Sequence, residues 1–494
     1  MRFTVETRDF QTLKTHLLVL NMHDGEVDTH SFLGKLDKKT GGFIKQVLKQ
    51  EKFEGKAGQT KLINTWKKLS ADYVLIVGLG EKKNFNLEIV RKASASAYQT
   101  ALQIRASKIV TAAHGGHLGV FSKGECVQAV VEGMGLAAYQ FSRYKKLPKD
   151  SPTVEEVALL CPDPKKVAEV KRGLERGELV AQGARLARDL INTPAADMAP
   201  FDLAKMAQGL KGIKTVVYKE PQIRAMKMGA YLGVSQGSIH PPAFIEMYYK
   251  PTGSAKKKVV IIGKGVTFDS GGLSLKPPKS METMKDDMSG AAAVIGLMSV
   301  IAQLKPKVEV WGLVAAAENM PDAKAQRPGD VVTASNGKTI EVLNTDAEGR
   351  LTLADALVYA QKKNPHYTID LATLTGACLV ALGDRISAIM GNDKKLVDTL
   401  ISCGLKTGEK LWELPLADEY KNDLKSPIAD LKNIGGPYGG TINGGLFLQE
   451  FVGSMKWAHL DIAGPSWTDA PREYEKKGGT GVMVRTLAEF LEKL

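Results

Sequence analysis

Short apolar runs separated by longer amphipathic stretches recur along the chain, the pattern of strands alternating with helices. Residues 71–78 (ADYVLIVG) read as a buried strand, 87–104 as a helix and 108–112 as another strand. A helix over 125–141 and a strand over 153–160 follow. From 164 to about 190 the chain is rich in Val, Leu, Ala, Glu and Arg, which predicts one long helix stopped at Asn192-Thr-Pro. Beyond it the alternation resumes. Strands are expected at 214–219, 243–250, 258–263, 308–316, 339–344, 367–372 and 459–462, with helices at 289–304, 353–363 and near 446–455. Strands separated by helices imply an α/β fold whose mostly parallel sheet is covered on both faces. The expected organisation is a smaller N-terminal α/β domain over 1–165, a connecting helix over 166–190 and a larger C-terminal α/β domain over 191–494.

Composition narrows the class. With 44% hydrophobic and 24% charged residues among 494, the chain is not largely disordered. Its longest apolar stretch, 291–302, is broken by Gly296 and Ser299 and falls short of the ~18 residues of a membrane span. The run 17–20 is too short for a signal peptide. Four cysteines lie 35, 217 and 25 residues apart, neither a disulfide framework nor a CxxC metal site. A reduced, cytoplasmic protein without membrane attachment fits best. The net charge of +13 is concentrated early: residues 1–150 hold 24 Lys and Arg against 14 Asp and Glu, and the remainder 43 against 40. Such asymmetry suits a polyanion such as DNA. The short pairs Lys38-Lys39, Lys67-Lys68, Lys82-Lys83 and Lys145-Lys146, without aromatic interleaving, suit solvated surface better.

Chemistry concentrates in two segments where charged residues follow apolar runs. One is Val259-Val-Ile-Ile-Gly-Lys264-Gly-Val-Thr-Phe-Asp269-Ser-Gly-Gly, followed by Lys276 and Met284-Lys-Asp-Asp287. The other is Ile340-Glu-Val-Leu-Asn344-Thr-Asp346-Ala-Glu348-Gly-Arg350. In open α/β sheets the ligand crevice lies beyond the carboxyl ends of the strands, where both segments would meet. Asp269, Asp287, Asp346 and Glu348 would repel one another without cations between them. Lys264, Lys276 and Arg350 supply part of that charge, and two divalent metals are the other answer. An extended backbone would turn Asp346 and Glu348 to one side. A buried salt-bridge network or a helix cap near Ser289 is the plainer alternative for either segment alone. Glycines at 271, 272, 290 and 349, permitting close backbone approach, favour a site.

Other signals are weak. Gly233-Val-Ser-Gln-Gly237 matches a nucleophile elbow, but a strand is expected after it where a helix is required. Gly337-Lys338-Thr339 lacks the earlier glycine of a phosphate loop, and Phe268 replaces the third glycine of a dinucleotide fingerprint. The stretch 435–445, with six glycines in eleven residues, reads as a mobile loop over the crevice. His459 reads as a satisfied buried histidine.

Asn344-Thr-Asp-Ala-Glu-Gly-Arg-Leu351 resembles the signature of the leucyl aminopeptidase family, the di-metal cytosol aminopeptidases. Gly263-Lys-Gly, Phe268-Asp-Ser-Gly-Gly-Leu-Ser-Leu-Lys276 and Met284-Lys-Asp-Asp-Met288 resemble its second signature, and the likeness extends over residues 185–494. The resemblance implies a macro-like N-terminal domain and a C-terminal catalytic domain. It implies hydrolysis of the N-terminal peptide bond, favouring Leu and other bulky apolar residues, by attack of a water activated between two metals (Mn or Zn, with Mg or Co possible). Asp269 and Glu348 would bridge both metals, Asp346 would complete one site, and Lys264 and Asp287 the other. Lys264 must then be neutral, by burial and neighbouring cations. Lys276 would polarise the scissile carbonyl, and Arg350 would hold a bicarbonate ion as general base. The substrate's free α-amino group would lie near Asp287, and Met284, Thr373, Gly376 and Ala463 would line the pocket for its first side chain. Assembly as a homohexamer is implied in the same way.

Overall fold

A computed structural model describes residues 1–25, 27–146, 148 and 150–494, which form two compact units. Met1–Ala181 with Pro471–Lys476 make up the first, and Gln182–Ala470 with Lys477–Leu494 the second. The first unit is built on a six-stranded sheet in the order Arg2–Glu6, Glu156–Leu160, Lys108–Thr111, Thr15–Met22, Ala71–Gly78, Thr60–Asn64. Every neighbouring pair is parallel except the last. Helices Leu87–Gln103 and Lys123–Ala137 serve as its crossovers. The second begins with a capping box: Ser122 Oγ accepts from Glu125 N–H, and the Glu125 carboxylate accepts from Ser122 N–H.

The second unit carries an eight-stranded sheet in the order Leu411–Glu413, Ser387–Gly391, Trp457–Asp461, Tyr367–Ala372, Lys258–Asp269, Glu309–Asn319, Ala243–Tyr249, Lys214–Lys219. Its four central strands run parallel, and antiparallel strands flank them on both sides. The expected mixed, mostly parallel α/β architecture is what the chain adopts. Helix Ser289–Leu304 is apolar nearly all round, as an element buried on every side must be. By length and composition the stretch Pro278–Leu304 could cross a membrane, yet 78% of its apolar window is buried inside the protein, as in a core helix.

Element boundaries moved where long-range pairing decides them. The strand expected at 258–263 continues to Asp269, because Glu309–Asn319 runs beside it and pairs Asn319 with Asp269 after a register shift. The helix expected at 353–363 starts earlier and spans Gly349–Gln361. The glycine-rich stretch is not a loop throughout: Gly440–Gln449 is a helix, with Gly444 and Gly445 buried.

Candidate metal centre

The strand Lys258–Asp269 lies at the middle of the sheet, so its apolar first half is buried on both faces. Past Gly263 it carries Lys264 in its interior and Asp269 as its last residue. The chain then reverses through Gly271 and Gly272, whose φ angles of +86° and +64° favour glycine. Asp269 Oδ1 accepts hydrogen bonds from Gly271 N–H at 2.9 Å and from Asn319 Nδ2 at 2.8 Å. Both donors fix the carboxylate before any ligand arrives.

The second acidic segment is a turn, not the extended backbone expected for it. Asn344 Oδ1 accepts from Asp346 N–H at 2.9 Å and Asn344 O accepts from Ala347 N–H at 3.2 Å, an Asx turn. Glu348 is then the N-cap of helix Gly349–Gln361. Thr345 joins the two segments, donating to Gly271 O at 2.6 Å and accepting from Ser274 N–H at 2.8 Å. The outcome matches the expected convergence: Asp269, Asp346 and Glu348 each present an oxygen within 4.8 Å of the others.

The two lysines stand on either side of this cluster. Lys264 Nζ lies 2.6 Å from Asp287 Oδ1, 2.8 Å from Glu348 Oε1 and 3.0 Å from Thr373 O. Thr373 Oγ1 donates to the same Asp287 oxygen at 2.7 Å. Lys276 Nζ pairs with Asp269 Oδ2 at 2.8 Å and with Asp346. Lys264, Asp269, Asp287 and Glu348 are all buried, whereas Lys276 and Asp346 are half-buried. The glycines give the close approach expected of them: a Cβ would sit 2.9 Å from Asp346 Oδ1 at Gly271, and 2.7 Å from Lys264 Nζ at Gly349.

Crowding shows in the acidities. Burial, reinforced by Glu348, pushes the Asp269 carboxyl up to about 6 and raises that of Asp287 as well. Burial also raises Asp346. For Lys264, burial acts downward, but the carboxylates of Asp287, Glu348 and Asp269 outweigh it and raise the pKa. Burial thus acts in the direction expected, and among the protein groups alone these three carboxylates keep Lys264 charged. Arg350 is buried, donates from Nη1 to Asn433 O at 2.8 Å, and is pushed down to about 10 by burial.

The residues fit divalent metals. Carboxylates outnumber the cations buried with them, and among the described residues the buried Asp287 Oδ2 has no hydrogen-bond partner. Glu348 Oε1 and Asp346 Oδ1 meet lysines only as ion contacts, outside hydrogen-bond geometry. Hard, oxygen-rich donors of this kind suit Mn, Mg or Zn. The other sequence-derived residues take their places around them. Thr373 touches the cluster directly. Met284 precedes Asp287 by three residues in a 3-10 turn, Gly376 follows Thr373 by three, and Ala463 follows strand Trp457–Asp461. All four are at least partly exposed. Asn319, Asn433, Thr345 and Asp461 were not singled out from sequence, although each holds part of this region.

The weak motifs resolve in structural terms. Ser235 ends helix Gly229–Ser235 and donates to Leu232 O at 3.0 Å, so no elbow exists there. Gly337 lies in the turn between antiparallel strands Asp330–Thr333 and Thr339–Val342. His459 is fully buried with Nδ1 2.6 Å from Asp370 Oδ1.

The catalytic-domain model of the cytosol aminopeptidase family matches residues 185–488, and the family's N-terminal-domain model matches residues 19–148. The chain belongs to the cytosol aminopeptidase family. A probable cytosol aminopeptidase of Geobacter sp. (strain M21) is 45% identical over 463 residues, 92% of this chain and 93% of that protein. One of Aquifex aeolicus (strain VF5) is 42% identical, covering 98% and 97%. Among solved structures, a mutant of tomato leucine aminopeptidase aligns with a TM-score of 0.89 at 36% identity, over 100% of this chain and 96% of that one. The bottromycin maturation enzyme BotP in complex with Mn aligns at 0.84 and 34% identity, over 97% and 99%. The chain is accordingly a metal-dependent aminopeptidase, a hydrolase that removes residues from the N-termini of peptides.

Proposed function

We propose that this aminopeptidase releases Leu and other bulky apolar residues from peptides with free N-termini, using two divalent cations held by Lys264, Asp269, Asp287, Asp346 and Glu348. The observation that carries the reading is the convergence of Asp269, Asp346 and Glu348 within 4.8 Å beside the buried Lys264–Asp287 pair. In this reading Asp269 and Glu348 would serve both cations, Asp346 would serve one, and Lys264 with Asp287 would serve the other. Bound there, Mn or Zn (or Mg or Co) would supply the Lewis acidity that polarises a carbonyl and lowers the pKa of a water nucleophile toward neutral pH.

The chain's own residues supply the rest. Lys264 is held charged by three carboxylates, so it would ligate as a neutral amine only with cations beside it to offset their charge. Lys276, on a long flexible stem, exchanges its carboxylate partners for the scissile carbonyl oxygen as negative charge develops there. The substrate's free α-amino group would bind one of the cations and lie near Asp287, which restricts cleavage to the N-terminal residue. Arg350 offers a bicarbonate ion a buried guanidinium whose Nε has no hydrogen-bond partner among the described residues. Met284, Thr373, Gly376 and Ala463 accept the first side chain; a Cβ built on Gly376 meets nothing within 4 Å, so space is open beside it.

We assign the enzyme to the cytoplasm, as a homohexamer, with a macro-like domain over 1–165 joined by the helix of 166–190 to a catalytic domain over 191–494. DNA contact by the N-terminal unit rests on its charge alone. The basic hollow lined by Arg2, Lys14, Lys67 and Lys108 also holds Asp72, Glu155 and Glu156, and Glu156 pairs with Arg2 and Lys108 at 3.3 Å each. The test of the function is hydrolysis of leucine anilide after chelator dialysis and Mn or Zn add-back, beside Asp346→Ala. Activity that returns with metal and is absent from the variant supports the reading. Folded, metal-loaded protein inactive on every free-amine substrate refutes it.

A further inference from the structure

Asp461 closes the strand Trp457–Asp461, where Ala372 of the neighbouring parallel strand is its partner in register. It is fully buried. Oδ1 accepts from Leu374 N–H and from Ala463 N–H, each at 3.2 Å, and Oδ2 accepts from Thr375 Oγ1 at 2.6 Å. One carboxylate thus holds the backbone of two separate segments that reach the pocket, the turn after Ala372 and the turn after Asp461 itself. No neutral side chain of this size offers three acceptor positions to three donors.

The grip extends further in two directions. Thr375 Oγ1 spends its proton on Asp461, so the hydroxyl of Thr441, 3.0 Å away, must donate to it, bringing helix Gly440–Gln449 into the same network. Thr375 also caps helix Gly376–Leu382 by accepting from Cys378 N–H at 3.1 Å. On the other side, Thr373 accepts from Lys264 Nζ through its carbonyl and donates to Asp287 through its hydroxyl. The turn 373–376 is therefore clamped at Thr373 by two metal-ligand candidates and at Leu374 and Thr375 by Asp461.

We propose that Asp461 is a positioning residue for substrate selection: it sets the spacing between the Thr373–Gly376 turn and Ala463, and so the size of first side chain the enzyme accepts in register with the metal ligands. The inference rests on the proposed pocket and deepens it. Asp461 does not touch the substrate; it acts through the two walls it holds. A carboxylate kept only for stability would, on loss, weaken the fold and lower turnover of all substrates alike. A carboxylate that spaces the pocket changes the ratio between large and small first residues, because that ratio is set by fit.

The experiment compares kcat and KM for leucine and alanine anilides in the wild-type enzyme, Asp461→Asn, Thr375→Val and Thr375→Ser, with bound Mn counted in each. Asp461→Asn and Thr375→Val are expected to lower the Leu:Ala ratio of kcat/KM by about tenfold, mainly through KM for leucine, with Mn content unchanged. Thr375→Ser keeps the hydroxyl and is expected to restore the wild-type ratio. Should Asp461→Asn fail to fold, the Thr375 pair decides by itself. An unchanged ratio in an active enzyme, or equal losses on both substrates, overturns this inference and leaves the function standing. An inactive wild-type enzyme overturns both.

Discussion

Gly349→Ala should inactivate the enzyme without unfolding it. Gly349 is the first residue of helix Gly349–Gln361, next to Glu348, and it adjoins the Lys264 side chain. A Cβ there would lie 2.7 Å from Lys264 Nζ and 2.8 Å from its Cδ. Carbon contacts settle at about 3.5–4.0 Å, so the lysine must retreat by roughly 1 Å. It has little freedom to do so, because Asp287 Oδ1 at 2.6 Å, Glu348 Oε1 at 2.8 Å and Thr373 O at 3.0 Å hold the ammonium in a buried site. Overpacking of this kind costs about 1–3 kcal/mol, and replacing glycine by alanine in a helix returns up to about 1 kcal/mol. The net loss of about 0–3 kcal/mol leaves most domains folded. Misplacement by about 1 Å at a reacting centre, by contrast, costs on the order of 100-fold in rate. The assay is kcat on leucine anilide with thermal melts alongside, repeated with Mn affinity as the readout in a Lys264→Ala background. In that background the clash is gone, so Gly349→Ala should change Mn affinity by less than about twofold. Activity of Gly349→Ala within threefold of wild type, or an equal effect with and without Lys264, would refute the reasoning.

Three further outcomes follow from other parts of the molecule. Asn319→Ala removes the 2.8 Å donor to Asp269, and Mn affinity and kcat should each fall by about 10–100-fold with the melting temperature little changed; unchanged Mn affinity would count against it. His114 is fully buried between Asn21 and Thr111, and burial holds it down at about 4. A histidine depressed in the fold keeps its full contribution above the unfolded value and loses it as pH falls toward the folded one. Urea unfolding should therefore show roughly 2 kcal/mol lost from this group between pH 7.5 and 5, a loss that His114→Gln abolishes and that equal pH dependence of the two proteins would rule out. All four cysteines are buried, with the thiols of Cys126 and Cys378 pushed up to about 12 by burial, so a thiol reagent should label none until the protein is denatured. Rapid labelling of the native protein would show that burial to be wrong.

The acidic segments were legible because their chemistry is local in sequence: short runs bring Lys264 near Asp269 and Asp346 near Glu348. What the chain does between those residues was not. The Asx turn at Asn344 depends on one side-chain hydrogen bond, and the last six residues of the strand Lys258–Asp269 depend on a neighbour some fifty residues away. Asn319 stays invisible for that reason, since only the strand pairing brings it to Asp269. Asp461 ends an apolar strand and looks like any strand terminus until the turns it holds are in place. The helix Gly440–Gln449 runs against the low helix propensity of glycine. Packing overrides propensity there: a Cβ on Gly445 would come within 2.7 Å of Met390 Sδ, so the glycines serve close contact instead of mobility. The edge strand Leu411–Glu413 and its neighbour Ser387–Gly391 are too short to carry a period.

The most direct measurement is the number of Mn ions bound per chain, followed together with leucine anilide hydrolysis as Mn is returned to chelator-stripped enzyme. Two ions per chain are expected, with full activity only at the second. Glu348→Ala, which removes a carboxylate proposed to serve both ions, should weaken both binding steps. Full activity at one ion per chain, or none bound in an active enzyme, would contradict the two-cation site.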